Sequence, residues 1–440
     1  MSREPMSEAE ATAVLAAAAR FGINPSLHTI TRLCEALGEP QRAYRVVQVG
    51  GTNGKGSTVR MTDALLRAHG QRSGAFVSPQ MHSLTEHVLI DGAPVPGDLF
   101  AAGVSAAVSA AAALGDSLPE PPTQFELLTA AALWILREAG VGWGVLEVGM
   151  GGRWDSTSVS APEVSVVTSV GLDHVDYLGP TLERIAWDKA HIIRHGGLAV
   201  LGPGTEETDE VFAERARNIG ARLVRVREDV ADADVSFTVT RHMQTPDGVT
   251  EIETSVLGET YGPLSVSGPA YQAANAVCAL SAVRLALSGP LDVHATRSAL
   301  GGLRIAGRFE VLARQPWVIA DVAHNAGGAR VLAEAVARAF GRRPVTVVIG
   351  MLTDKDAAAV VSVLAPVAAR FVVTAPDSPR ALDARVLVEM VEDVTGTGPV
   401  VCPDVAGAVA AARESGSPVL VTGSVVTVAE ARVACGVYPG

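Results

Sequence analysis

The sequence is poor in the features that mark several protein classes. Its four cysteines, Cys34, Cys278, Cys402 and Cys435, lie far apart. They form no CxxC pair and have no histidines at zinc-finger spacing, which excludes a disulfide scaffold and a structural zinc module. Aromatic residues make up only 4% of the 440 residues, and the formal net charge is -12. Without a basic face there is no bulk attraction for nucleic acid or anionic membranes. Neither is expected as a partner, and any anionic ligand must be held by local donors. No uncharged apolar run reaches the length that spans a bilayer. Glu4, Glu8 and Glu10, followed by an apolar run of residues 14–19 alone, do not make a signal peptide. A cytoplasmic monomer is expected.

What the chain does have is small aliphatic residues in an alternating pattern. It is 48% hydrophobic and contains 44 glycines, a composition suited to helices packed on a buried parallel sheet. Its length exceeds what one core organises, so two domains are expected. Short β-branched runs at 45–49, 144–148 and 164–170 alternate with helical stretches from about 57 and from 181 to 193. This is the pattern of a doubly wound α/β sheet. Between 235 and 264 the spacing changes to alternating Thr, Val and Ile, which predicts a small antiparallel side sheet. A second α/β series follows, with strands near 317–321, 345–350, 371–374, 400–402 and 419–422. The expected organisation is a nucleotide-binding domain over 1–300, a glycine-punctuated linker over 301–308 and a smaller C-terminal α/β domain over 309–440. The linker glycines would let the domains move about a cleft.

The sharpest local signal is the loop Gly51-Thr52-Asn53-Gly54-Lys55-Gly56-Ser57, which joins a strand to a helix. Small residues let backbone amides converge on phosphate oxygens, the helix N-terminus adds partial positive charge, and Lys55 can neutralise the outer phosphates. Gly56 between Lys55 and Ser57 makes the loop a variant of the generic GxxxxGK[ST] pattern. An ordinary glycine-rich turn is the other reading of the loop alone. Farther on, Glu147 sits at the end of one apolar strand and His174 follows another, where parallel sheets bind their ligands. Lys189 lies on the helix after His174 and reads as a second phosphate-binding cation or a solvated lysine. Asp321 and Asn325 precede Gly327-Gly328 and could simply cap a helix.

The loop and eleven further blocks resemble the folylpolyglutamate synthase and dihydrofolate synthase family, within the Mur-type amide ligases. The blocks, in the family's order, include VSP at 77–79, TQFELLTAAAL at 123–133, LEVGMGGRWDST at 146–157, SVGLDHVDYLG at 169–179 and DKAHII at 188–193. They continue with YQAANA at 271–276, GRFEV at 307–311, DVAHN at 321–325, TDKD at 353–356, SPRALD at 378–383 and TGSVV at 422–426. The resemblance implies a Mur-ligase-like fold that uses ATP and Mg2+ to activate a carboxylic acid as an acyl phosphate and join it to an amino acid, in the first instance L-glutamate to a pterin acid. It implies ATP contacts from Thr52, Asn53, Gly54, Lys55, Gly56, Ser57, Asn275, Arg308 and Asp321. It implies a metal site of Ser78, Glu147, His174 and a carbamylated Lys189, with Ser57 on the nucleotide's own metal. Lys55, Lys189, His174 and Arg308 would be the catalytic set. On the substrate side it implies Phe125 and Glu126 at the pterin, with His324, Asn325, Ser378 and Arg380 on the second domain.

The chain departs from the family where Ser78-Pro79-Gln80-Met81 replaces the usual Ser-Pro-His-Leu, where His191 stands for a glycine and where Ser158 stands for an asparagine. Two other readings stay open on the residues: a paralogue that ligates an amino acid to a non-folate acid, and a catalytically silent nucleotide-binding regulator. No GxSxG elbow favours a hydrolase.

Overall fold

The structure, a computed structural model, describes residues 6–341 and 343–438. Two sheets organise it. The first has eleven strands: β1 (Arg45–Gly50), β2 (Ser73–Phe76), β3 (Val88–Ile90), β4 (Ala93–Pro94), β5 (Trp143–Glu147), β6 (Val164–Ser169), β7 (Leu198–Gly204), β8 (Arg222–Glu228), β9 (Val235–Arg241), β10 (Val249–Val256) and β11 (Glu259–Ser267). Their spatial order is β11-β10-β9-β8-β7-β6-β1-β5-β2-β3-β4. Strands β8, β7, β6, β1, β5 and β2 run parallel. The strands from 235 onward form the expected antiparallel set, but they continue the main sheet, because β9 pairs with β8 through Val235 and Val226.

The register explains where a ligand can sit. Val49 of β1 lies opposite Glu147 of β5, and Gly50 lies opposite Val167 of β6. Three strand ends therefore open side by side. β1 is buried along 46–50, as a parallel strand covered on both faces must be. One face packs on the helices Lys55–Ala68 and Ala270–Ala286, with Val59, Met61, Leu65 and Leu66 in that core. The other carries Glu8–Ala18, His28–Ala36, Gly97–Leu114 and Gln124–Glu138. The alanine-rich stretch Gly97–Ser117 is long and apolar enough to cross a membrane by composition. In the fold, Phe100, Ala101, Val104 and Ala107 of this helix are buried against the Gln124–Glu138 helix.

The second sheet has six strands: β12 (Glu310–Arg314), β13 (Trp317–Ala320), β14 (Val345–Ile349), β15 (Ala368–Val373), β16 (Val400–Val401) and β17 (Val419–Thr422), in the order β12-β13-β17-β14-β15-β16. Only β12 is antiparallel to its neighbour. It has its own core on each face, around Leu332, Val347 and Leu364 on one side and Val318, Val409 and Val421 on the other. Gly301 and Gly302 close the helix Val293–Gly302, so the irregular connection begins at Leu303. The single helix expected over 181–193 is shorter: Leu182–Lys189 is α-helical, and a tighter turn, Ala190–Ile192, follows.

Candidate active site

The loop after β1 is shaped by two glycines that nothing else could replace. Gly51 has φ 137°, and a Cβ there would lie 2.0 Å from Thr168 Oγ1. Gly54 has φ 90°, and a Cβ there would lie 2.3 Å from Asn275 Oδ1. Both conformations exclude an L side chain on backbone grounds as well. The loop is laced to the end of β6: Asn53 N donates to Ser169 Oγ at 3.0 Å, Thr168 Oγ1 donates to Asn53 O at 2.7 Å, and Thr52 Oγ1 donates to Gly171 O at 3.1 Å. Asn275, whose Nδ2 donates to Gln272 Oε1 at 3.0 Å, presses on the loop from the other side.

Lys55 folds back over this loop, its Nζ donating to Gly51 O at 3.1 Å and Thr52 O at 3.2 Å. Lys189 Nζ reaches the same Gly51 O at 3.0 Å. Two buried ammonium groups on one carbonyl are costly, and their pKa values show it. Burial lowers Lys55, with Arg308 adding and Glu147, Asp173 and Asp155 opposing. Burial, then Lys55 itself, brings Lys189 down to about 7.

Glu147 sits at the end of β5, buried, with Oε2 accepting the Ser78 amide at 3.0 Å. Burial raises its pKa, opposed by Lys55, the Ser78 amide, Arg308 and Arg60. The helix that opens at Lys55 lies against it, since a Cβ on Gly56 would be 3.2 Å from Glu147 Oε2. Ser57 Oγ is buried without a hydrogen-bond partner. His174 holds a left-handed backbone, φ 52° and ψ 38°, uncommon for a residue with a side chain. Burial lowers its pKa to about 4, with Lys355, Lys55 and Lys189 adding and Asp173 opposing. A neutral imidazole, a buried carboxylate and an orphaned hydroxyl fit a divalent cation. Unmodified Lys189 does not, and among the described residues no group of three His, Cys, Asp or Glu side chains forms a ready metal cluster.

The second domain meets this site through Asp173. Lys355 Nζ lies 2.7 Å from Asp173 Oδ1, His324 Nε2 lies 3.4 Å from Oδ2, and Asn325 Nδ2 donates to Oδ2 at 3.2 Å. Burial alone would raise the Asp173 pKa, but hydrogen bonds from His324 and Lys355 outweigh it and hold the carboxyl well below the usual range. Asn325 and Asn53 exchange reciprocal amide bonds at 3.1 Å. Asn325 is also the N-cap of the helix Ala326–Phe340, its Oδ1 accepting Gly328 N at 2.8 Å. Capping and the cleft contact thus coexist in one side chain.

Several expected site residues are occupied within the protein itself. Asp321 accepts from Tyr271 Oη at 2.7 Å, Phe309 N at 2.8 Å and Ala323 N at 3.0 Å. It braces the turn beside Arg308, whose Nη1 donates to Gly307 O at 3.2 Å. Glu126 is buried and completes a capping box with Thr123, accepting its amide at 2.8 Å and its hydroxyl at 2.9 Å. Phe125 faces Phe76, ring centroids 5.8 Å apart, and packs over Gly149. Arg380 pairs with Asp354 at 2.6 Å, and Ser378 Oγ accepts the Arg380 amide at 3.2 Å. Arg380 is exposed and Ser378 half-buried. Asp173, Lys355, Tyr271 and Arg60 were not singled out from the sequence as site residues. Asp173, Lys355 and Tyr271 lie inside the quoted blocks SVGLDHVDYLG, TDKD and YQAANA, but a charge's partner across a cleft is invisible in a linear pattern.

Comparison with known proteins identifies both domains. Residues 49–283 match the Mur ligase middle domain, and residues 307–425 match the Mur ligase glutamate ligase domain. A dihydrofolate synthase/folylpolyglutamate synthase of Mycobacterium tuberculosis is 35% identical over 95% of this chain and 91% of its own length. The crystal structure of Mycobacterium tuberculosis folylpolyglutamate synthase complexed with ADP and AMPPCP superimposes with a TM-score of 0.90 at 32% identity, covering 98% of this chain and 100% of that one. A bifunctional folylpolyglutamate synthase/dihydrofolate synthase with Mn, AMPPNP and L-glutamate bound gives 0.84 at 29% identity, covering 97% and 98%. Two sheets in this order, a phosphate loop pressed against Glu147 and this coverage lead to one assignment: the chain belongs to the folylpolyglutamate synthase and dihydrofolate synthase family of Mur-type ligases.

Proposed function

We propose that this protein is an ATP-dependent ligase that joins L-glutamate to a pterin carboxylate, making dihydrofolate from dihydropteroate, extending folates with further glutamates, or both. The observation that carries the reading is the gathering around the phosphate loop, which contains Lys55, of Glu147 and Lys189 from two other segments, with Arg308 from a third close enough for its charge to act on Lys55 and Glu147. Family membership supports the substrate class.

In the reaction, a carboxylate oxygen of the acid attacks the γ-phosphorus of ATP; the new O–P bond forms as the bond to the β-phosphate oxygen breaks, and ADP leaves. Such chemistry requires positioning and charge neutralisation, with no covalent nucleophile from the protein. Lys55 and the loop amides supply both, and Arg308, set by the turn that Asp321 braces, adds a cation from the interdomain side. The amine of glutamate then attacks the acyl carbon, the C–N bond forms, phosphate departs and the amine loses a proton. Ser78, Glu147 and His174 would hold Mg2+, with Ser57 on the metal of the nucleotide. Bound there, Mg2+ would neutralise phosphate charge. Lys189, with its depressed pKa, is suited to take up CO2 as a carbamate, which would turn a misplaced cation into an oxygen ligand.

Phe125, Ser378 and Arg380 belong to the acid and amino-acid ends in this reading, with His324 and Asn325 at the cleft. Residues 1–300, 301–308 and 309–440 would act as nucleotide domain, linker and glutamate domain of a cytoplasmic monomer. Phosphate release is the test. Purified protein with ATP, Mg2+, L-glutamate and dihydropteroate should release phosphate in step with dihydrofolate. Release with a non-pteridine acid only would overturn the folate assignment, and none across a panel of acids would overturn ligase activity.

A further inference from the structure

Gln48 stands in the middle of β1, fully buried, between Val47 and Val49. An amide at the centre of a parallel strand covered on both faces loses its water and must find partners inside the protein. Its Nε2 donates to Thr157 Oγ1 and to Ser158 Oγ, each at 3.0 Å. Both hydroxyl protons are already committed, Thr157 Oγ1 donating to Asp155 Oδ1 at 2.5 Å and Ser158 Oγ donating to Gly152 O at 2.6 Å. The two hydroxyls can therefore only accept from Gln48, which sets its amide with the nitrogen towards them. The Oε1 is left buried without a partner. An apolar side chain in this place would avoid that cost. What the glutamine adds is a pair of donors for the loop over 149–158.

That loop lies on the segment that carries Lys189. A Cβ on Gly151 would come within 2.2 Å of Asp188 Oδ1, and one on Gly152 within 3.0 Å of Lys189 O and 3.1 Å of Asp188 O. Arg153 N donates to Asp188 Oδ1 at 3.3 Å. Ser165, which lies opposite Gln48 in β6, donates its hydroxyl to Ile192 O at 2.8 Å, just past Lys189. At the far end of its side chain, Lys189 reaches Gly51 O in the loop that β1 leads into. The contacts close a ring: Gln48 to Ser158, Ser158 to Gly152, Gly152 against the Lys189 backbone, and Lys189 Nζ back to the phosphate loop.

We propose that Gln48 is a positioning residue for the ligase reaction: through Ser158 it fixes Gly152 against the Lys189 backbone and so sets where the Lys189 side chain ends. The proposal rests on the ligase reading above. It also gives Ser158, which stands where the family has an asparagine, a defined partner. A reacting group displaced by about 1 Å loses up to about 10²-fold in rate, even when the change lies far from the chemistry.

The test pairs turnover with hydrogen exchange in Gln48→Leu, Ser158→Ala and the double variant. Each single variant should lose about tenfold in kcat for phosphate release, with the KM for ATP within about twofold of wild type. The double variant should be no slower than Gln48→Leu, since both changes break the same chain of bonds. Amides over 149–158 and 186–193 should exchange faster, while those of the helix Lys55–Ala68 keep wild-type rates and the melting midpoint hardly moves. Wild-type turnover in both single variants, or losses that multiply in the double variant, would overturn the proposal. So would a lowered melting midpoint with faster exchange throughout the first domain in both single variants, because Gln48 would then hold the fold and not the site. Should the wild-type protein release no phosphate with any acid, the ligase reading fails by itself. Exchange then decides the chain from Gln48 to Lys189: faster exchange confined to the two segments supports it, and unchanged exchange sinks it.

Discussion

The two sides of the cleft are held together by different kinds of bond. On the nucleotide side, the loop after β1 is fixed by backbone conformation and by short hydroxyl bonds to the neighbouring strand end, from Thr168 and Ser169 to Asn53. On the second-domain side, Lys355, His324 and Asn325 reach across to Asp173 with side chains alone. A backbone cradle tolerates almost no change at its glycines, whereas a side-chain bridge can open and close. The first suits a phosphate that must not move, and the second suits a cleft that must admit substrates.

That contrast can be broken from either side. The largest effect is expected at Lys55: Lys55→Ala removes the cation proposed to neutralise the phosphates and should cost about 10³-fold in turnover while the protein stays folded, judged by phosphate release and melting. Unchanged turnover would remove Lys55 from the reaction. Gly51→Ala forces a Cβ to within 2.0 Å of Thr168 Oγ1 and should cost about 1–3 kcal/mol of stability together with most nucleotide affinity. A normal melting midpoint with normal ADP binding would show that the cradle is softer than its geometry. Across the cleft, Lys355→Met should lower turnover by about an order of magnitude and leave ADP affinity within about twofold; a matching loss of ADP affinity would mean the two sides are not separable.

The smallest effect concerns pH. Burial depresses the pKa of His87, whose Nδ1 lies 2.6 Å from Val77 O at the base of the Ser78 loop. The folded state then holds fewer protons than the unfolded chain below about pH 6.5, so stability falls as pH drops through that value. His87→Asn, which keeps a donor for Val77 O, should melt with a shallower dependence between pH 7.5 and 5.5. An identical slope would place the titration elsewhere.

The loop was legible because its chemistry is contiguous. Seven successive residues between a strand and a helix make it readable, and the strand pattern puts Glu147 and His174 near the ends of β5 and β6, which flank β1. Glu126 shows the opposite case. The resemblance implies a pterin contact for it and its residue type alone a solvated acid, whereas the fold buries it in a capping box with Thr123 three residues earlier. The Ser-to-Glu and Thr-to-Glu spacing of such boxes is itself a sequence signal. Asn325 was readable as a cap, but not as a partner of Asn53 and Asp173, 272 and 152 positions away.

By itself, the sequence determined the alternation of strands and helices, the phosphate loop and the family. These depend on neighbours within one or two turns of chain, where periodicity and glycine placement act directly. Only the tertiary structure decided that the antiparallel strands extend the main sheet, that Asp173 is one of the points where the two domains meet and that Gln48 is joined through Ser158 to Gly152 beside Lys189. Each of these needs two distant segments to arrive at the same place. Their partners are selected by packing and charge across space, which no spacing along the chain records.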